Sequence, residues 1–209
     1  MRRGVRRLPG FILSGFILLG CAPAPRDIAV FALAPAQYAQ NLSVPLLLAP
    51  IGTAPVYMSK DLLYRLSYAD NQLHSYGNSR WIALPTAMFA SALRQAAGGN
   101  LLALDQSRQL ARCALHIELI SFEQVFTDAK SSHAELGLHF SLMQLRNQRE
   151  LGSSQLRLEI PAQTADARGG AMALEKASHQ AANQIVEWMD RSLAPAASGA
   201  NPVRVACER

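Results

Sequence analysis

The stretch A-E-L-G-L-H-F-S-L, Ala134 to Leu142, settles the fold class. Ala134, Leu136, Leu138, Phe140 and Leu142 fall on one parity and Glu135, His139 and Ser141 on the other. A period of two belongs to a β-strand with one buried and one wet face. The same pattern stands on either side of it. Leu115, Ile117 and Leu119 alternate with His116 and Glu118, and Leu156, Leu158 and Ile160 alternate with Arg157 and Glu159. Three successive strands of this kind describe an antiparallel sheet covered on one side.

The cover comes from two helical patterns. After Trp81, Pro85 suits a first helical turn, where its missing N–H has no partner to lose. Met88, Phe89, Ala92, Leu93 and Ala96 then recur at helical spacing until Gly98 and Gly99 end the run. The second helix is expected from near Gly170 to Leu193, with Leu174, Ala177, Ala181, Ile185 and Trp188 on its buried face and Pro195 blocking continuation. Upstream, residues 28–33 and 43–51 are apolar enough for strands. Residues 61–68 and 72–76 flank Ala69-Asp70-Asn71, a turn composition that predicts a hairpin. The expected fold is α+β, a single domain of mainly antiparallel sheet with two helices on one face.

The first twenty residues read as a leader. Arg2, Arg3, Arg6 and Arg7 precede an apolar run to Leu19. That run is shorter than the roughly 20 residues needed to span a bilayer and matches the apolar part of a secretory signal. It ends at Leu18-Leu19-Gly20-Cys21. This resembles the bacterial lipobox, in which the Cys sulfur takes a diacylglycerol and the leader is cut before it. Ala22 would then be the second mature residue. In proteobacterial lipoproteins an Asp there retains the protein at the inner membrane, so Ala22 implies the outer membrane. The organisation expected is signal peptide 1–20, lipidated tether 21–27, folded domain 28–193 and flexible tail 194–209.

Removing the leader changes the charge. The whole chain carries 20 Lys and Arg against 15 Asp and Glu, a formal +5. Four of the basic residues are in the leader, which leaves a mature chain of 189 residues with a net charge of +1. That gives no electrostatic case for nucleic acid. Of three Cys, Cys21 is committed to lipid. Cys113 and Cys207 either pair, clipping the tail to the domain, or stay separate thiols. An oxidising exported context favours the pair.

Catalytic signatures are weak. His116-Ile117-Glu118 matches the H-x-E of zinc deaminases, but no C-x-x-C follows. His133 and His139 sit on or beside one strand, and His116 and His139 could be neighbours across two, without the acid or Cys partners at ligand spacing that a metal needs. No nucleophile elbow, Walker A loop or dinucleotide fingerprint occurs. Trp81 beside Arg80 is either a ligand-stacking pair or, more commonly, an apolar plug where a loop enters a helix.

The order of elements is familiar. The lipobox, the Tyr64-Arg65 hairpin strand, Trp81 with Pro85 and Leu93 at the first helix, and Ile185 with Trp188 in the last resemble the ABC-type transport auxiliary lipoprotein family over about residues 28–193. These are the lipoprotein partners of MCE-type lipid transporters such as the paraquat-inducible system. The resemblance implies a non-enzymatic protein without cofactor or metal. It would be anchored in the outer membrane, face the periplasm, support the membrane barrier and dock an MCE-type subunit through its polar sheet face or an open edge strand. Association of copies with one another is left open. A lipoprotein activator of a periplasmic cell-wall enzyme is the alternative reading.

Overall fold

A computed structural model describes residues 27–35, 41–103, 110–196 and 199–208. Among the described residues nine strands form one mixed, curled sheet. The three long alternating segments are β7 (Cys113–Phe126), β8 (Ser132–Gln144) and β9 (Arg149–Pro161). They pair antiparallel in sequence order. The hairpin is also present, as β4 (Asp61–Leu66) and β5 (Leu73–Trp81), with Asn71 at φ 56° in its turn.

The sheet is mixed and curled and not simply antiparallel, which corrects the expectation in part. Four short strands, β1 (Ala29–Phe31), β2 (Leu46–Leu48), β3 (Gly52–Thr53) and β6 (Leu101–Ala103), enter it through parallel pairs. β2, β3 and β4 line up in turn along one side of β7, all parallel to it, while β8 occupies the other side. The path across the sheet therefore runs β1–β5–β4–β7–β8–β9. Segments of two or three residues carry too little alternation to announce their direction.

One face of the sheet is covered by α1 (Pro85–Ala97) and α2 (Ala167–Leu193). Phe89 and Leu93 of α1, and Leu174, Ala177, Ala181 and Ile185 of α2, are buried against Leu115, Leu119, Leu136 and Leu138. Small residues on α2 let it lie close to the sheet. At Gly170 a Cβ would overlap the Gln124 side chain, which is itself fixed by bonds from Tyr76 Oη (2.8 Å) and to Ser132 Oγ (2.7 Å). α2 starts earlier than expected because Asp166 caps it, accepting the Gly169 N–H at 2.7 Å. Trp188 is half-buried and meets Phe140 edge to face.

A third helix was not expected. The segment read as a flexible tail holds α3 (Pro202–Glu208), whose Cys207 Sγ is bonded to Cys113 Sγ at the start of β7. Asn201 ties it down further, donating to the carbonyls of Ser192 and Ala194. The leader, Cys21 and Ala22 lie outside the described residues. Among the described residues no helix is long and apolar enough to cross a membrane.

Candidate functional site

The helices cover one face and leave the other open, and its polar residues follow from a phase change in β7. Leu119 pairs with Leu138 and Ser121 with Gly137, so Ile120 is an extra residue without a partner. This bulge shifts the alternation: Leu115, Ile117 and Leu119 face the core before it, Phe122 and Gln124 after it. Gly137 makes the bulge fit, since a Cβ there would stand 2.6 Å from Ser121 Oγ. The shift turns Glu123 onto the open face, directly across from Glu135 on β8.

Two like charges facing each other across a ladder repel, and both are buried, Glu123 at 4% exposure and Glu135 at 6%. Arg65 of β4 reaches both. Its Nε donates to Glu123 Oε1 at 2.9 Å, its Nη2 lies 2.7 Å from the same oxygen and 3.3 Å from Glu135 Oε2, and its Nη1 donates to Asn71 Oδ1. Arg157 of β9 adds a 2.7 Å contact from Nη2 to Glu135 Oε2 and a 3.5 Å contact from Nε to Glu159 Oε1. Tyr57 closes the site from the 3₁₀ turn Pro55–Tyr57, its hydroxyl donating to Glu123 Oε2 at 2.6 Å. Burial, and then this bond to a carboxylate, push the Tyr57 phenol far above its ordinary range, so it remains a neutral donor. Two acids and two arginines balance around a cavity of about 660 Å³ that extends to Ser121, Gly137 and Gln155.

This arrangement orders the face; its charged groups are already occupied with one another. Arginine cannot serve as a base. Among the described residues no Ser or Thr hydroxyl is hydrogen-bonded to a histidine. His133, Glu135 and Glu159 place one donor atom each within 4.8 Å of one another. Arg157 contacts both of those carboxylates and Arg65 contacts Glu135, so two guanidinium charges already sit where a metal would bring its own.

The histidines weighed from sequence spread along the open face. Glu118 pairs with His139 and His116 with Ser141, so His116 and His139 are diagonal and not directly opposed. His133 and His139 share that face. Trp81 is the plug: 1% exposed, it packs on Phe31 and Phe122. Sequence alone does not bring the Arg65–Glu123–Glu135–Arg157 network together: Arg65, Glu135 and Arg157 each stand out only on their own strands. A signal existed in the spacing Leu119 to Phe122. Two core residues three apart in a strand require a bulge, and the bulge turns Glu123 outward.

Comparison with known proteins supplies the remaining context. The family model described as "ABC-type transport auxiliary lipoprotein component" matches residues 31–186. A crystal structure of a protein from Xanthomonas campestris superposes with a TM-score of 0.68 at 20% identity, covering 77% of this chain and 93% of that one. The crystal structure of an uncharacterized protein gives 0.57 at 12% identity, covering 78% and 99%. At these identities the likeness is one of fold. No curated protein matches the chain in a sequence search.

Proposed function

The chain belongs to the ABC-type transport auxiliary lipoprotein family, and from that premise we propose that it is the docking component of an MCE-type intermembrane lipid transport system. In this reading Cys21 carries the acyl chains, Ala22 directs the protein to the outer membrane, and the domain faces the periplasm. It binds a transporter subunit and catalyses nothing.

The observation that carries the reading is the extent of the match. Residues 31–186 include every strand after the first residues of β1, all of α1 and most of α2, so the relation concerns the whole domain. The site supports it in two ways. The polar face is charge-balanced and internally bonded, suited to presenting a fixed surface. Among the described residues β9 pairs only with β8, which leaves one edge of this thirteen-residue strand without a strand partner there. Beside that edge a groove of about 440 Å³ runs between β9 and α2, lined by Leu156, Trp188, Glu187 and Arg191. A free edge beside a helix accepts an extended segment, with backbone bonds giving affinity and the groove selecting side chains.

A pull-down of the folded, tagged lipoprotein from its own envelope tests the role. Recovery of an MCE-type subunit supports it, and recovery of a cell-wall synthase without any MCE subunit overturns it. Cys21→Ser should leave unprocessed precursor that takes up no palmitate, and Ala22→Asp should move the protein toward the inner-membrane fraction. Loss of anchoring should weaken the outer-membrane barrier as loss of the transporter does, because a docking platform has to be held at its membrane.

A further inference from the structure

We propose that the β1 edge of the sheet is a lipid-facing surface, on which Ile28, Val30 and Ile82, beside Arg80, rest against the headgroup region of the membrane that anchors the chain. This rests on the lipid-anchor reading above and adds how the domain sits once anchored.

The parallel register of β1 on β5 pairs Val30 with Arg80 and Phe31 with Trp81. Phe31 turns to the core, where it meets the Trp81 ring edge-on. Alternation then sends Ile28 and Val30 to the opposite face with Arg80. Ile82 continues the ladder one step past β5, its N–H donating to the Phe31 carbonyl at 2.8 Å. Ile28, Val30 and Ile82 are 49%, 50% and 57% exposed, and Leu84 just beyond is exposed too. Exposed Lys60 lies across β5 from β1, its carbonyl accepting the Trp81 N–H at 2.7 Å on the β4 side. Asp61, the register partner of Arg80 on β4, is the acid at this border, and Asp27 precedes Ile28.

Single exposed aliphatic residues are ordinary. Here they gather on a sheet edge that no other described strand pairs with, and soluble proteins normally protect such an edge with charge or cover. The chain says what the cover is. Six residue steps separate Cys21 from Asp27, so the acyl anchor lies within about 21 Å of this edge even when the chain is fully extended. Every anchored copy therefore holds this edge near lipid. β9 lies five strand spacings away, about 24 Å along the sheet. An aliphatic strip beside a lipid anchor is the composition of a surface that seats at a membrane interface; Asp27 and Asp61 offset the nearby cations, so the apolar contact supplies the seating.

The test uses the mature lipoprotein, reconstituted without reductant into phosphatidylethanolamine–phosphatidylglycerol vesicles that contain a shallow nitroxide-labelled lipid. Val30→Cys and, on the far edge, Gln155→Cys each carry an environment-sensitive fluorophore. The expected result is a blue-shifted emission at position 30, quenched severalfold more than at position 155. Adding Ile28→Ser and Ile82→Ser to Val30→Cys should erase the difference, and both sites are exposed, so the fold is not at stake. Equal quenching at the two positions overturns the inference, as does shielding of position 30 by a second copy in detergent without lipid. The mass of the N-terminal peptide separates the failures. An acylated Cys21 with unquenched position 30 sinks the seating alone, and an unmodified Cys21 sinks the anchor and the seating together.

Discussion

Arg65→Met should be among the most damaging single substitutions on the open sheet face. Among the described residues Arg65 alone contacts both Glu123 and Glu135, which oppose each other across β7 and β8 with side chains 5% and 8% exposed. Met keeps much of the aliphatic stem and removes the charge. Among the described residues Glu123 then retains the Tyr57 hydroxyl and Glu135 retains Arg157. Breaking a buried ion pair from one side costs about 3–5 kcal/mol, because the remaining charge stays desolvated. The Arg65 side chain is 23% exposed and Arg157 still serves Glu135, so the low end, about 3 kcal/mol, is expected. For a domain of this size that is a fall in Tm of roughly 6–12 °C.

The assay is urea unfolding at neutral pH of four proteins: wild type, Arg65→Met, Glu123→Gln and the double variant. Glu123→Gln removes the opposed charge while its amide oxygen can still accept from Tyr57. The double variant should therefore recover much of the loss, with a coupling of about 2 kcal/mol, well outside the additivity of independent sites. An Arg65→Met loss below about 1 kcal/mol would place the network among surface pairs of little consequence. Strict additivity in the cycle would show that Arg65 acts through packing and not by pairing Glu123.

Three further outcomes follow from particular contacts. Gly170→Ala should cost about 1–3 kcal/mol by thermal melt, because the new methyl overlaps Gln124, whose amide is fixed on both sides. Asp166→Ala should lose about 1 kcal/mol from the α2 cap. The Gly169 N–H, and then Thr164, hold the Asp166 carboxyl below its usual range. Its contribution is therefore present above the unfolded value of about 3.9 and lost as pH falls through the lower folded value, so wild type and variant should converge in acid. Cys207→Ser opens a loop with a sequence separation of 94, worth up to about 4.7 kcal/mol in the chain-entropy model, and unfolding with and without reductant should show that wild type alone responds.

What could be read in advance divides by physics. β8, β9 and the first half of β7 carry enough alternation to fix both strand and buried face, while past Ile120 the bulge reverses the parity of β7. α1 announced its ends through Pro85 at its first turn and Gly98 at φ 67°. The parallel strands did not announce themselves. Leu46 to Leu48 is three buried leucines without period, and its direction is decided by pairing with Ala114 and Leu115, more than sixty residues away. Residues 202–208 escaped because a seven-residue helix is too short to show a face, and Cys207 and Asn201 hold it in place. The ion network was hidden for a related reason. Arg65, Glu123, Glu135 and Arg157 are each unremarkable on their own strands, and only the order β4–β7–β8–β9 brings them together.

That same order sets the two edges of the sheet at different tasks. β1 is short, apolar on its outer face and close in sequence to Cys21. β9 is long, carries Arg157 and Glu159 on its open face and borders the Trp188 groove. A domain seated by β1 would present β9 away from the lipid, and the charge-balanced network between them would hold the intervening face rigid. One experiment on the anchored protein then examines both proposals. A photo-crosslinking residue at Gln155, exposed on β9, should capture the transporter subunit, while the same residue at Val30 should yield lipid adducts and no partner. Capture of the partner from Val30, with none from Gln155, would reverse the orientation and refute the assignment of β9 as the docking edge.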